Sequence, residues 1–148
     1  MKFSKKSRYG VTALIDLAVN SKNGHVALGS IAERNEISPQ YLEQVFASLR
    51  RAGIVKSVKG SQGGYLLKYP SSSITVASII QALEGTYYLD DEETKTEESA
   101  AGIAVTIQEE IVDRVNHGLD QILQNLTLAD LEESFQERQS GGQEMYYI

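Results

Sequence analysis

The chain has 148 residues, 41% of them hydrophobic, which is room for one domain or a small domain with an extension. It contains no cysteine, which excludes disulfides, thiolate-held metals and cysteine nucleophiles and suits a reducing cytosol. The net charge of −6 hides a split: residues 1–69 carry 11 Lys+Arg against 4 Asp+Glu, and residues 70–148 carry 3 against 16. Phosphates are neutralised locally, so a first half of net +7 suits a polyanion despite the total. The second half, net −13, should face away from it and make binding steeply salt-dependent. No apolar run approaches bilayer-spanning length and Met1-Lys-Phe-Ser-Lys-Lys lacks a signal core, so a soluble, cytoplasmic protein is expected.

Met1 to Ser21 starts basic, with Lys2, Lys5, Lys6 and Arg8, then turns apolar at helical spacing through Tyr9, Ala13, Leu14, Leu17 and Ala18. Ser4 or Ser7 can cap this helix. Its N-terminus joins a positive dipole end to free N–H groups and is expected to hold a phosphate; the alternative is a solvated lysine cluster. Ser21-Lys-Asn-Gly24 is a turn, and His25-Val26-Ala27 is a candidate short strand. His25 has no partner at metal-ligand spacing and reads as a surface residue. Leu28 to Asn35 predicts a short helix with Leu28, Ile31 and Ala32 inward.

Ser38 then offers an N-cap hydroxyl and Pro39 fits the first helical position. Leu42, Val45, Phe46 and Leu49 recur at i, i+3, i+4 and i+7, a single apolar stripe, and Gly53 suits the left-handed residue that ends a helix. The opposite face carries Gln40, Glu43, Gln44, Ser48 and Arg51, and Gln and Arg match base edges in the major groove. Many ordinary surface helices share this pattern. The neighbouring hairpin distinguishes it: Val55 and Val58 lead into Lys59-Gly-Ser-Gln-Gly-Gly64, and Tyr65 and Leu67 alternate on the return. Gly60, Gly63 and Gly64 permit the positive φ of a tight turn. No Lys-Ser/Thr pair comes after them, which argues against a P-loop. Helix, turn, helix (28–53) and a hairpin (54–68) together predict a winged helix-turn-helix domain over 1–85, whose second helix enters the major groove.

Position assigns the roles. Ser38, Gln40, Tyr41 and Gln44 would read base edges, while Lys59, Ser61 and Gln62 would place the wing at the minor groove or phosphates. Lys5, Lys6, Arg8, Arg50 and Arg51 would grip the backbone, or Arg50 would serve a structural salt bridge. Glu43 either accepts from a cytosine amino group or orients a neighbouring arginine.

Beyond the wing, Tyr69-Pro70 breaks the pattern, Thr75 caps a helix from Val76 to Glu84 with Ile79, Ile80 and Leu83 inward, and Gly85 stops it. The acidic run from Leu89 to Ser99 reads as a solvated link over 86–100, without the alternating ligands of a calcium loop. From Ala101 to Leu126, Ile103, Ile107, Ile111, Val115, Leu119, Ile122 and Leu126 form one stripe, about 40 Å long at the helical rise. A small domain cannot cover it, so the same helix of a second copy is the expected mate, with the next helix (Thr127-capped, Leu128, Leu131 and Phe135 inward) as an intrachain alternative or buttress. Gly118 inside this helix hints at close approach. Ser140-Gly141-Gly142 reads as a flexible joint, giving dimerisation helices over 101–139 and a tail over 140–148. With two isolated histidines and no paired carboxylates on a structured scaffold, an enzyme is not expected.

The residues Arg8-Tyr9-Gly10, Ile31-Ala32, Tyr41-Leu42-Glu43, Leu49-Arg50 with Ala52-Gly53, and Gly60…Gly63-Gly64-Tyr65 resemble the Rrf-type family of bacterial winged-helix transcription regulators. The likeness is specific from Met1 to Gly85 and holds in plan only beyond. It implies a mainly α fold with a small β-wing, double-stranded DNA as partner, and a homodimer through the long helix. In the family's iron–sulfur members, cysteines in the link hold the cluster; this chain has none, so neither cluster nor redox thiol carries over and no cofactor is expected. The ending Met145-Tyr146-Tyr147-Ile148 is similar to that of the cysteine-metabolism repressor (CymR) branch. That likeness implies a repressor and a partner enzyme, O-acetylserine thiol-lyase, that accepts Ile148. A winged-helix module binding protein instead of DNA is the alternative, against which the basic half argues.

Overall fold

The structure, a computed structural model, describes residues 3–91 and 98–146. Helix α1 spans Lys5–Asn20, α2 Leu28–Asn35 and α3 Pro39–Arg51; strands β1 (Val55–Val58) and β2 (Gly64–Leu67) form the hairpin. A 3-10 turn at Ser71–Ser73 leads into α4, Val76–Glu84. Helix α5 (Glu98–Ile107) runs through a π-helical segment, Gln108–Asp113, into α6 (Arg114–Leu123), and α7 spans Leu128–Tyr146.

The predicted caps are present. Ser4 accepts from the Ser7 N–H, Ser38 from Tyr41 and Thr75 from Ser78. At the end of α3, Gly53 has φ +78°, its N–H donates to Arg50 O, and Ile54 N–H donates to Leu49 O, a Schellman ending. The main core joins α1 (Leu14, Leu17), α2 (Ile31), α3 (Leu42, Val45, Phe46, Leu49) and α4 (Ile79), all fully buried. Gly10 lets α4 approach α1: a Cβ there would meet Leu83 Cδ1 at 2.2 Å.

Several expectations need correction. The core does not end at Gly85, because Leu128 of α7 is fully buried in it. Val76 N–H donates to Leu126 O and Leu128 N–H to Ile74 O, both at 2.8 Å, pinning the start of α7 to the start of α4. Helix α7 lies against α1 and the 3-10 turn, with Lys22 paired to Glu132 at 3.0 Å, so it buttresses the first domain, and its Leu131 also packs against the cluster that holds Leu123 of α6. Phe135, expected inward, is exposed. The expected joint at Ser140-Gly141-Gly142 is helical: each glycine costs about 1 kcal/mol of helix propensity but, unlike proline, breaks no ladder bond.

The long helix starts at Glu98, inside the expected link, and is unbroken to Leu123, with residues 92–97 outside the described part. Its π segment has a reason in the stripe. From Ile103 to Leu119 the apolar steps are all of four, which drift about 40° per step on an α-helix; a wider turn realigns them. Among the described residues nothing beyond its own helix's backbone lies within 4 Å of a Cβ built at Gly118, so no close approach among them accounts for it. Leu119 turns inward, onto a second cluster of Val76, Ala77, Ile80, Tyr87 and Leu123.

Candidate nucleic-acid interface

The fully buried stripe of α3 turns its other face outward and leaves Gln40, Glu43 and Gln44 exposed. Ser38 is exposed but engaged, its Oγ accepting from Tyr41 N–H at 3.3 Å. Two residues singled out on α3 are engaged within the chain. Ser48 is buried, donating to Gln44 O at 3.4 Å and accepting from Arg51 Nη2 at 3.2 Å. Tyr41 is half-buried, its ring edge-on to Tyr9 at 5.5 Å, so it braces α3 against α1. Arg50 and Arg51 are exposed, and among the described residues neither Arg50 nor Glu43 has an ion-pair partner; the readings that gave each of them one are not met.

The end of α2 is tied to α1 through Asp16, which sequence reasoning missed. Arg34 donates to it twice, Nε to Oδ2 at 2.9 Å and Nη2 to Oδ1 at 2.7 Å, and Asn35 Nδ2 adds a third bond at 2.9 Å. A planar guanidinium on a carboxylate fixes direction as well as distance. The available signal was a lone acid inside the apolar run of α1.

The wing pairs Val55 with Leu67 through Val58 with Gly64 in antiparallel register. Val26 joins as a single bridge, exchanging hydrogen bonds with Tyr65 at 3.0 and 2.9 Å, so the short third strand is one residue long. Of the three turn glycines only Gly60 has positive φ. Gly63 and Gly64 are required by close approach, since a Cβ would stand 2.2 Å from Val58 O and 2.3 Å from Val26 O. The Tyr65 ring meets Phe46 of α3 at 4.5 Å, coupling wing to helix. Lys59, Ser61 and Gln62 are exposed at the tip.

Lys5 and Arg8 are exposed and Lys6 half-buried, with the Arg8 guanidinium over the Phe3 ring at 5.0 Å. The α1 N-terminus is not open to phosphate as expected. Glu84 Oε1 accepts from Ser4 N–H at 3.1 Å, from Ser7 Oγ at 2.6 Å and from Ser4 Oγ. A helix N-terminus attracts an anion, and the chain supplies its own.

Away from this surface, the long helix exposes Ile103, Ile107 (50%), Ile111 (53%), Val115 and Ile122 (63%). Behind it, Tyr87 and Tyr88 both donate to Asp120, whose carboxyl these bonds hold below its ordinary range. The side chain of Tyr146, and Tyr147 and Ile148 entirely, lie outside the described residues. Among the described residues no helix is long and apolar enough to cross a membrane.

The Rrf2 family profile, an iron-dependent transcriptional regulator, matches residues 3–134. This chain belongs to the Rrf2 family. CymR of Bacillus subtilis, an HTH-type transcriptional regulator, is 38% identical over 135 residues, 88% of this chain and 89% of CymR. IscR of Yersinia enterocolitica, another, is 38% identical over 135 residues, 88% of this chain and 79% of IscR. The solved structure of CymR, described as the global cysteine regulator of B. subtilis, matches with TM-score 0.76 and 37% identity, covering 90% of this chain and 98% of that one. Like its Rrf2 relatives, the chain is a DNA-binding, winged helix-turn-helix transcription regulator rather than an enzyme. The chain has no cysteine, and among the described residues no three His, Asp or Glu side chains are placed to share a metal ion.

Proposed function

We propose that this Rrf2 protein is a homodimeric, sequence-specific repressor that reads a near-palindromic operator and needs no iron–sulfur cluster. One arrangement carries the reading: Gln40, Glu43 and Gln44 are exposed on a helix whose other face is fully buried, beside a wing tipped by Lys59, Ser61 and Gln62. In that reading the three α3 side chains contact base edges, Ser38 and Tyr41 place the helix, and Lys5, Lys6, Arg8, Arg50 and Arg51 meet phosphates. The exposed aliphatic stripe of the long helix supports pairing with a second copy, since an apolar surface so long costs free energy in water. Likeness to a cysteine regulator supports a role in sulfur metabolism, and extends the proposal to O-acetylserine thiol-lyase held through Tyr146, Tyr147 and Ile148.

Selecting genomic fragments with the pure protein tests the reading. Two recognition helices related by a two-fold axis should recover half-sites one or more duplex turns apart. A single asymmetric half-site bound by one copy would overturn it.

Reading and gripping separate by mutation. Gln44→Ala should cost about 1–3 kcal/mol and relax preference at one base pair, whereas Lys6→Ala should weaken all sequences alike and lower the salt slope by about 1. Titrations on specific and random duplexes at several salt concentrations measure both. Equal losses on the two duplexes for Gln44→Ala would remove it from the reading set.

A further inference from the structure

His25 lies outside the wing, in the α1–α2 connection, yet its Nε2 is 2.6 Å from the backbone oxygen of Gln62 at the wing tip. A carbonyl oxygen only accepts, so Nε2 carries the proton and donates. The next residue, Val26, bonds to Tyr65, one residue into the return strand, and Tyr65 packs on Phe46 of α3. Two consecutive residues therefore hold the return side of the wing near its tip: Val26 at Tyr65, His25 at Gln62. The tip needs such a hold. Its turn contains three glycines, and among the described residues its backbone bond outside the strand ladder is Gly63 N–H to Gly60 O at 3.1 Å.

We propose that His25 is a positioning residue for DNA recognition, a donor that clamps the Gln62 carbonyl and so fixes the angle at which Lys59, Ser61 and Gln62 are presented beside α3. The inference rests on the DNA-binding reading of that surface. It assigns a task to a side chain that the sequence leaves as a plain surface residue. It also gives Gly24 a purpose, since its φ of +135° turns the chain into the segment that sends His25 across to the wing.

The test compares the full-length parent, His25→Ala and His25→Gln, whose amide can place a donor near Nε2. Amide exchange at Gly63 and Tyr65 in the DNA-free protein reads the clamp. Hydroxyl-radical footprints and affinity on the selected duplex and on a scrambled duplex of equal length read its consequence. His25→Ala should speed exchange and lower specific affinity about three- to tenfold, the range set by one net hydrogen bond. Protection should fade at the outer, wing-facing sugars and persist at the centre of each half-site. His25→Gln should restore both, and the urea midpoint of His25→Ala should fall only slightly, because His25 is exposed and gives up one hydrogen bond. Unchanged exchange in His25→Ala would overturn the clamp; altered exchange with an unchanged footprint would overturn its role in recognition. If His25→Gln behaves as His25→Ala, the hydrogen bond is not the agent. No selective footprint from the parent would sink the DNA reading and the positioning role with it, while exchange would still report on the clamp.

Discussion

Ile111→Glu should convert the protein to monomers and lower operator affinity more than a hundredfold while leaving the secondary structure of each chain intact. The side chain is 53% exposed in the single chain, so more than half of its surface stands open to water there. In the proposed dimer it is covered, and the change buries a carboxylate without a partner in each copy, a cost of at least about 3 kcal/mol. Every 1.4 kcal/mol is about tenfold in affinity, and the pair of half-sites is lost together with the pair of recognition helices. Sedimentation at micromolar concentration, circular dichroism and operator titration read the three parts. A variant that remains dimeric with full operator affinity would show that this stripe is covered by something other than a second copy.

Phe46→Ala should be the most destabilising single change in the DNA-binding half. Phe46 is fully buried between the main core and the wing, with the Tyr65 ring 4.5 Å from its own. Truncation leaves a cavity walled by helices on one side and the hairpin on the other, and such changes cost about 3–5 kcal/mol. Domains have about 5–15 kcal/mol in total, so urea unfolding should show a large shift in midpoint. Phe46→Leu, which retains most of the volume, should lose much less. A loss below about 1 kcal/mol for the alanine variant would mean that the wing closes over the gap and that helix and hairpin are not packed as one unit.

What the chain reveals before it is folded is local and periodic. Ser4, Ser38 and Thr75 cap their helices because a short hydroxyl side chain reaches N–H groups only three residues away. The stripe Leu42, Val45, Phe46, Leu49 is buried because four residues at helical spacing share one face whatever covers them. Such features need no knowledge of distant chain, and with the glycine-tipped hairpin they were enough to specify a winged helix. They also pointed outward correctly at Gln40, Glu43 and Gln44, since the outer face of a helix is the complement of its inner one.

The tertiary structure alone decided who meets whom. Glu84 reaches back to Ser4 and Ser7, Glu132 to Lys22 and Leu128 into the first core, contacts between residues some 80 to 110 positions apart that no window of sequence contains. Each changes a reading: the α1 N-terminus is filled by a carboxylate, and the last helix braces the DNA-binding half. Ser48 and Tyr41 are polar or amphipathic residues whose side of the helix was legible but whose neighbours were not, and a neighbour is what turns a base-reading candidate into a brace. The same holds for His25: its identity says only that it can donate a hydrogen bond, and the fold, by folding the wing back over the α1–α2 connection, supplies the acceptor. Periodicity is set by the backbone's own repeat and survives in one dimension; pairing depends on which surfaces the whole chain can bury together, and that is settled only in three.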